Sequence, residues 1–416
     1  MFGNEQWYSS LPIGWSIQKF KYVASLYTGN SIKDSEKDNY TDAKNARPYI
    51  ATKHIEVDNN KIDYENGLYV KYNDTSFRIA KRGSTLMCIE GGSAGKKKGF
   101  LTQDVSFVNK LCCFKPSFRI NSKYLFYYLM SPNYEEDFKT RITGLIGGVS
   151  VSELMNMSII MPPLLEQQAI ADYLDKTCSK IDEIIAEAKA SINEYEKLKQ
   201  ATIDENIFGY DSVYIKLRQL GSLKNGLNFS HSDGVANIKF LGVGCFKDNM
   251  ILSKVDDFAD EHIDFEISEE YLLSNGDIVF VRSNGSKELV GRSIMVENID
   301  YTVTFSGFCI RFRNMHTELV DNQFLLYYFR TTHFKQSLLK YSNDSTNINN
   351  LNQEMLNAIH INAPVINEQK LLVKKLEKQV FVIDSLISEK ESLINDLEAY
   401  KKSLIYEVVT GKRRVV

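Results

Sequence analysis

The sequence predicts an α+β protein: two mixed-sheet globular domains in tandem pseudo-repeat, joined by two long antiparallel coiled-coil helices. Three observations predict it. About half of the chain is written twice; each copy closes on roughly 40 residues of apolar periodicity without Pro or Gly; and inside each copy short apolar runs alternate with turn residues. At 416 residues, 43% of them hydrophobic and 25% charged, the chain has the composition of a globular protein and exceeds the size at which one core stops growing.

The copies run from about residue 11 to 209 and from about 214 to 411. Near the middle of each, FRIAKRGSTLMCIEGGSAGKKKG (77–99) parallels YLLSNGDIVFVRSNGSKELVGRS (271–293), which sets Gly83 against Gly276 and Ser93 against Ser286. Both read as a turn, an apolar strand and a Gly/Ser loop with basic residues. Further on, VSFVNKLCCFKPSFRINSKYLFYYLM (105–130) parallels VTFSGFCIRFRNMHTELVDNQFLLYYFR (303–330), pairing Tyr127 and Tyr128 with Tyr327 and Tyr328. This reads as a strand followed by an amphipathic helix, with the tyrosines in its core.

The copies end at a constant offset of 202, Pro162-Pro163-Leu164-Leu165-Glu166-Gln167 against Pro364-Val365-Ile366-Asn367-Glu368-Gln369. A proline four residues before Glu-Gln opens a helix in each. Apolar residues then recur about every 3.5 positions, from Leu174, Cys178 and Ile181 to Tyr195, and from Leu376, Val380 and Ile383 to Leu397, as in a coiled coil. Gly209 and Gly411 supply the stops. The domains are thus expected at 1–163 and 210–364, and the helices at 164–209 and, with a basic tail, 365–416. Antiparallel pairing follows from the order, because a parallel pair would require the second head to span the whole coil.

The formal charge of −3 disfavours indiscriminate nucleic-acid binding. The charge is unevenly placed: residues 1–163 carry 21 basic against 16 acidic side chains, whereas 209–364 carry 14 against 19, so the second head needs a local basic face or basic partners to hold DNA. Cys88, Cys112, Cys113, Cys178, Cys245 and Cys309 form no CxxC pair or Cys/His cluster, and the six histidines lack metal-like spacing, so buried free thiols and no metal are expected. With no membrane-length apolar run and no secretory signal in MFGNEQWYSS, the expected location is the cytoplasm, away from any membrane.

Two inverted heads on a rigid spacer suit a target with two half-sites, and duplex DNA is such a target. Because the heads differ in sequence, the half-sites need not be palindromic. Tandem variable globular regions, each closed by P-x-x-x-E-Q opening a long helix, resemble the specificity subunit of type I restriction-modification systems, and the resemblance covers essentially the whole chain. It implies that each globular region is a target-recognition domain reading one half of a gapped site in double-stranded DNA. It also implies that the helices set the gap and dock two methyltransferase (modification) subunits, with Glu166, Gln167, Glu368 and Gln369 on the docking helices. S-adenosylmethionine would be bound by those partners and adenine methylated by them, and two restriction/translocase subunits would join for cleavage. The competing reading is a coiled-coil protein-interaction scaffold without sequence-specific DNA binding, which the near-neutral charge favours and the duplicated basic loops disfavour.

No cofactor and no catalytic residue are expected in this chain. An adenine methyltransferase requires an Asn/Asp/Ser-Pro-Pro-aromatic motif, yet Ser131-Pro132-Asn133-Tyr134 lacks the second proline and Met161-Pro162-Pro163-Leu164 lacks the aromatic residue. A Walker A loop fails as well, since Glu90 replaces its first glycine and Lys97 its Ser/Thr. For DNA contact the candidates in the first head are Ser93, Lys96, Lys97 and Lys98, whose loop offers backbone amides and cations to phosphates, flanked by Arg78 and Arg82. In the second head they are Arg282, Ser283, Asn284, Ser286 and Lys287, flanked by Arg292; Arg can address guanine and Asn adenine. The alternative for both loops is a solvated turn. The loops Thr143–Gly148 and Asn343–Asn350 occupy matching places and are expected either to face DNA or to be helix-capping turns.

Overall fold

The structure, a computed structural model, describes residues 11–144, 147–208, 212–228, 236–247, 250–263, 265–285, 289–340 and 350–415. It divides into two compact units, one of residues 1–189 with 391–416 and one of residues 190–390.

The first unit opens with β1 (Ser16–Lys19), α1 (Phe20–Val23) and β2 (Ala24–Thr28), followed by β3 (Ala46–Ile50), β4 (Tyr69–Lys71) and β5 (Ile79–Ala80). Then come β6 (Thr85–Cys88), β7 (Lys98–Phe100), β8 (Val105–Phe107) and β9 (Leu111–Pro116). Helices α2 (Ser122–Met130), α3 (Pro132–Thr140) and α4 (Val151–Asn156) precede β10 (Ser158–Met161) and the long α5 (Leu164–Ile207). The strands form an antiparallel sheet ordered β2-β9-β6-β7, a mixed sheet ordered β4-β3-β8-β5 whose β3–β8 pair is parallel, and a β1–β10 ribbon. The core lies between the two larger sheets, where Ile50, Leu86, Phe107, Leu111 and Cys113 are fully buried.

The second unit repeats the plan with β11 (Val213–Lys216), α6 (Leu217–Leu220), β12 (Gly221–Asn225), β13 (Ala236–Leu241), β14 (Ile251–Leu252) and β15 (Ala259–Ile263). It continues through β16 (Ile278–Val281), β17 (Ser293–Val296), β18 (Val303–Phe305) and β19 (Cys309–Asn314) to α7 (Asn322–Tyr328) and α8 (Thr332–Leu339). Then α9 (Gln353–Ala358) and β20 (His360–Ala363) lead to α10 (Ile366–Val409). Its sheets are β12-β19-β16-β17-β14, β15-β13-β18 and the ribbon β11–β20; the parallel pairs β13–β18 and β14–β17 make the first two mixed. The expected single strand before α2 and α7 is in each unit two strands, β8 and β9 or β18 and β19, separated by a tight turn.

Both long helices are 44 residues and begin directly after the proline-bearing segment, as the motif predicts. They run antiparallel within each unit. In the first, Glu166 meets Arg414 and Asp182 meets Lys401; in the second, Lys199 meets Asp384 and Asn206 meets Gln379. The seam is the predicted apolar stripe, with Leu174, Cys178, Ile181 and Ile185 buried in one unit and Leu376, Val380 and Ile383 in the other. Exposed pairs such as Lys199–Asp384 add little to it, since solvent screens them. The stop at Gly209 lies outside the described residues. Gly411 adopts φ +76°, which a side chain disfavours, and a Cβ there would meet Pro12 at 2.5 Å.

What attaches each long helix to its head is a buried glutamine. Gln167 donates from Nε2 to the Pro162 carbonyl (2.9 Å) and accepts at Oε1 from the Asn121 N–H (2.8 Å). Gln369 does the same with Pro364 (2.7 Å) and Asp321 (2.8 Å) and also donates to the Leu319 carbonyl (3.0 Å). Asn121 and Asp321 are the N-caps of α2 and α7, their side chains accepting from the second and third N–H groups of each helix. One amide thus joins the start of the long helix to the start of the helix it packs on. Tyr127, Tyr128, Tyr327 and Tyr328 are buried, and all six cysteines are free and buried. Replacing Gln369 by Ala strands a buried N–H and two carbonyls and is expected to cost about 3 kcal/mol. The test is the urea midpoint of unfolding at unchanged slope; a loss under about 1 kcal/mol would show that the amide confers no net stability.

Candidate nucleic-acid interface

Strand register decides which candidate residues meet. In the first unit Ile79 pairs with Ser106 and Ile50 with Phe107, while Cys88 pairs with Leu111. The C-terminal ends of β3, β6 and β8 therefore point to one end of the unit, where the Val108–Lys110 turn sits. Around it gather the segment Asn30–Ser31, bonded to Phe107 and Asn109, and the loop Glu90–Lys97, anchored by the Ile89 N–H on the Lys110 carbonyl (3.0 Å). Thr143 and Gly148 pair alongside, and the Gly147 carbonyl accepts from the Gly91 N–H (2.7 Å), while Leu145 and Ile146 of that loop lie outside the described residues.

Lys96, Lys110, Lys53 and Arg78 are exposed at this end. Lys97 is half-buried, its ammonium on the Thr52 carbonyl (2.9 Å), and the Arg78 guanidinium reaches the Thr28 carbonyl (3.1 Å). Ser93 is half-buried, and its carbonyl accepts from the Lys96 N–H (3.0 Å). Gly95 is required here because it has φ +73° and a Cβ would lie 2.6 Å from the Phe138 ring.

Two candidates fall elsewhere. Arg82 lies beyond the opposite, N-terminal end of β6, its N–H on Asp104, so it is not gathered with the loop. Lys98 is not in the loop but begins β7, where strand alternation turns it inward. It is 1% exposed and its ammonium meets Glu135 at 2.5 Å. Burial lowers its pKa, and the Glu135 carboxylate opposes that fall. Its charge is therefore spent inside the head and is not offered to a phosphate.

In the second unit the same bonds recur. The Arg282 N–H donates to the Phe308 carbonyl (2.7 Å), as Ile89 does to Lys110; the Leu351 N–H donates to the Arg282 carbonyl (2.8 Å), as Val149 does to Ile89. The side chains differ: exposed Lys110 in the first unit stands where Phe308, 57% exposed, stands in the second. Arg282 and Ser283 line a cleft of about 760 Å³ together with Asn228, Glu261, Phe308 and Asn350. One guanidinium N–H of Arg282 is held by the Gly307 carbonyl (3.3 Å). Asn284 is half-buried, and the Arg292 guanidinium is bonded to the Lys247 carbonyl. Ser286, Lys287 and the segment 343–349 lie outside the described residues.

The P-x-x-x-E-Q side chains also need correction as docking residues. Gln167 and Gln369, at 1% and 0% exposure, hold the helices from within and present nothing to a partner. Glu166 accepts from the Trp15 indole (2.9 Å) and pairs with Arg414, which leaves Glu368 as the exposed member of the four. Lys53, Lys110, Asn228 and Glu261 escaped sequence reading. Lys110 was detectable in the repeat, at the turn matching Phe308, but nothing around Glu261 marks its strand as part of a site. Among the described residues no three His, Cys, Asp or Glu side chains group to hold a metal, and no helix is long and apolar enough to cross a membrane.

A duplicated mixed-sheet head with variable loops at one end, each bolted to a long helix, defines a two-headed recognition protein. The profile of the type I restriction modification DNA specificity domain matches residues 12–194 and again 211–398, so the chain belongs to that family and carries its domain twice. It is 27% identical over 401 residues to the type I restriction enzyme MjaVIII specificity subunit of Methanocaldococcus jannaschii, covering 88% of this chain and 86% of the relative. It is 22% identical to the StySPI specificity subunit of Salmonella potsdam, covering 97% and 90%. A chain from a structural study of type I R-M complex assembly and conformational transition shares the fold at TM-score 0.73 and 14% identity, covering 97% of this chain and all of that one. The HsdS subunit from Thermoanaerobacter tengcongensis does so at TM-score 0.51 and 15% identity, covering 97% and 98%. The chain is thus a type I specificity subunit, a recognition component without catalytic function.

Glu135→Gln leaves the Lys98 ammonium buried without its carboxylate and is expected to lower stability by about 3 kcal/mol, while adding Lys98→Met recovers most of the loss. Urea unfolding of the single and double variants reads this. A single-variant loss below about 1 kcal/mol would show that Lys98 reaches solvent.

Proposed function

We propose that each head reads one half of a gapped, bipartite site in double-stranded DNA and that the long helices dock two adenine methyltransferase subunits. The observation that carries this is the pair of equivalent loop clusters: main-chain bonds hold them in the same way in both units, and the side chains they display differ. A common scaffold with unlike displays suits two different half-sites. Lys96, Lys110, Lys53 and Arg78 supply phosphate contacts in the first unit, and Arg282 with its neighbours supplies base readout in the second. Docking falls to exposed positions on the helices, among them Glu368, Leu371, Phe381 and Val382. The partners bind S-adenosylmethionine and transfer its methyl group to adenine, two restriction/translocase subunits complete the cleaving assembly, and the complex works in the cytoplasm.

The test is adenine methylation mapped across the genome of cells that express this chain with its cognate methyltransferase, against cells lacking this chain. A gapped two-part motif that disappears without the chain is expected. An unchanged pattern in cells whose methyltransferase is active would refute the reading. In the assembled complex, Lys96→Ala and Lys110→Ala are each expected to weaken binding equally for all sequences and to reduce the slope of log affinity against log salt by about 0.9. A slope that does not change would place these lysines away from phosphates.

A further inference from the structure

The heads differ most where one connection is short. Asn30 and Leu227 occupy the same place, each donating its N–H to the matched Phe107 or Phe305 carbonyl, and the parallel registers make Arg47 equivalent to Ile238. From Gly29 to Arg47 the chain takes 18 steps, and from Gly226 to Ile238 it takes 12, a difference of six. In the first unit this connection includes a 3-10 turn, Asp34–Tyr40, and Tyr40 with Ile32 and Phe77 packs over Tyr49 and Val70. The equivalents of Tyr49 and Val70 in the second unit are Phe240 and Glu261, and both line the cleft of about 760 Å³ that contains Arg282.

A cleft holding both a guanidinium and a carboxylate is a poor phosphate cradle, because the carboxylate repels the phosphate. The pair instead complements one base pair. In the major groove guanine presents the acceptors O6 and N7, and its cytosine partner presents the N4 donor, so Arg on guanine and Glu on cytosine satisfy both edges. An A·T pair at the same place would set the adenine amino group against the guanidinium. The Gly307 carbonyl restrains the Arg282 side chain (3.3 Å), and the Asn228 side chain packs against Gly307 where a Cβ would otherwise stand. The first unit has Ile89 and Val70 at the equivalent positions and lacks this pair of charges.

We propose that Arg282 and Glu261 read one G·C base pair in the half-site of the second head, Arg282 donating to guanine O6 and N7 and Glu261 accepting from cytosine N4. This rests on the DNA-reading function proposed above and specifies a base pair within it. The experiment measures equilibrium binding of this chain, assembled with its cognate methyltransferase, to duplexes bearing the mapped motif with each base pair of both halves replaced in turn. The wild-type complex is expected to lose about tenfold or more in affinity at one G·C position. Arg282→Gln should reduce that preference to within about twofold while other positions keep theirs, and Glu261→Gln should narrow the same position. Full discrimination retained by Arg282→Gln, equal loss at every position, or a wild-type motif with no G·C requirement in either half would overturn the assignment. Those outcomes leave the specificity role intact, whereas absence of any gapped motif would remove the role itself.

Discussion

The buried glutamine at the start of each long helix is the interaction on which the rest of each unit depends. A helix and a globular head could pack at many rotations, because apolar contact is not directional. A carboxamide that must satisfy carbonyls on one side and an N-cap N–H on the other allows one, since an error would strand buried polar groups. The amide has to be glutamine: glutamate could accept from the N-cap but could not donate to the carbonyls. This explains why the glutamine recurs at the same place in both copies when most of the sequence between has diverged.

On that attachment each head builds a rigid part and a variable part. The rigid part is the pair of sheets, whose registers carry the ends of three strands to one edge of the unit. The variable part hangs on main-chain bonds, from residue 89 or 282 to the turn at 110 or 308 and from 149 or 351 back to 89 or 282. Charge follows the same division. The buried cations Arg47 and Lys98 are held by internal partners and serve the fold, whereas Lys96, Lys110 and Lys53 stay at the surface.

Much of this was legible in the sequence. The repeat, both long helices, their antiparallel sense and the strand–loop–helix order follow from periodicity and punctuation, which are local signals. Side-chain direction is not local: Lys96, Lys97 and Lys98 look alike in sequence, and only the start of β7 separates the last from the first two. The same holds for Arg82, which strand polarity carries to the far end of β6. Gln167 and Gln369 were visible as a motif, but a buried amide and a surface contact leave the same trace in a single sequence. Glu261 joins the cleft through the pairing of β15 with β13, a long-range register that pattern reading does not detect.

Because main-chain atoms hold these loops in place, the side chains displayed there can be exchanged at little cost to folding. If the loops read DNA as proposed, a lineage can move from one recognised word to another by single substitutions, each step still a folded protein. Gly95 marks the boundary of that freedom. With φ +73° and the Phe138 ring standing where its Cβ would go, it admits no side chain without strain, and a change there would move the loop itself and not merely what the loop displays.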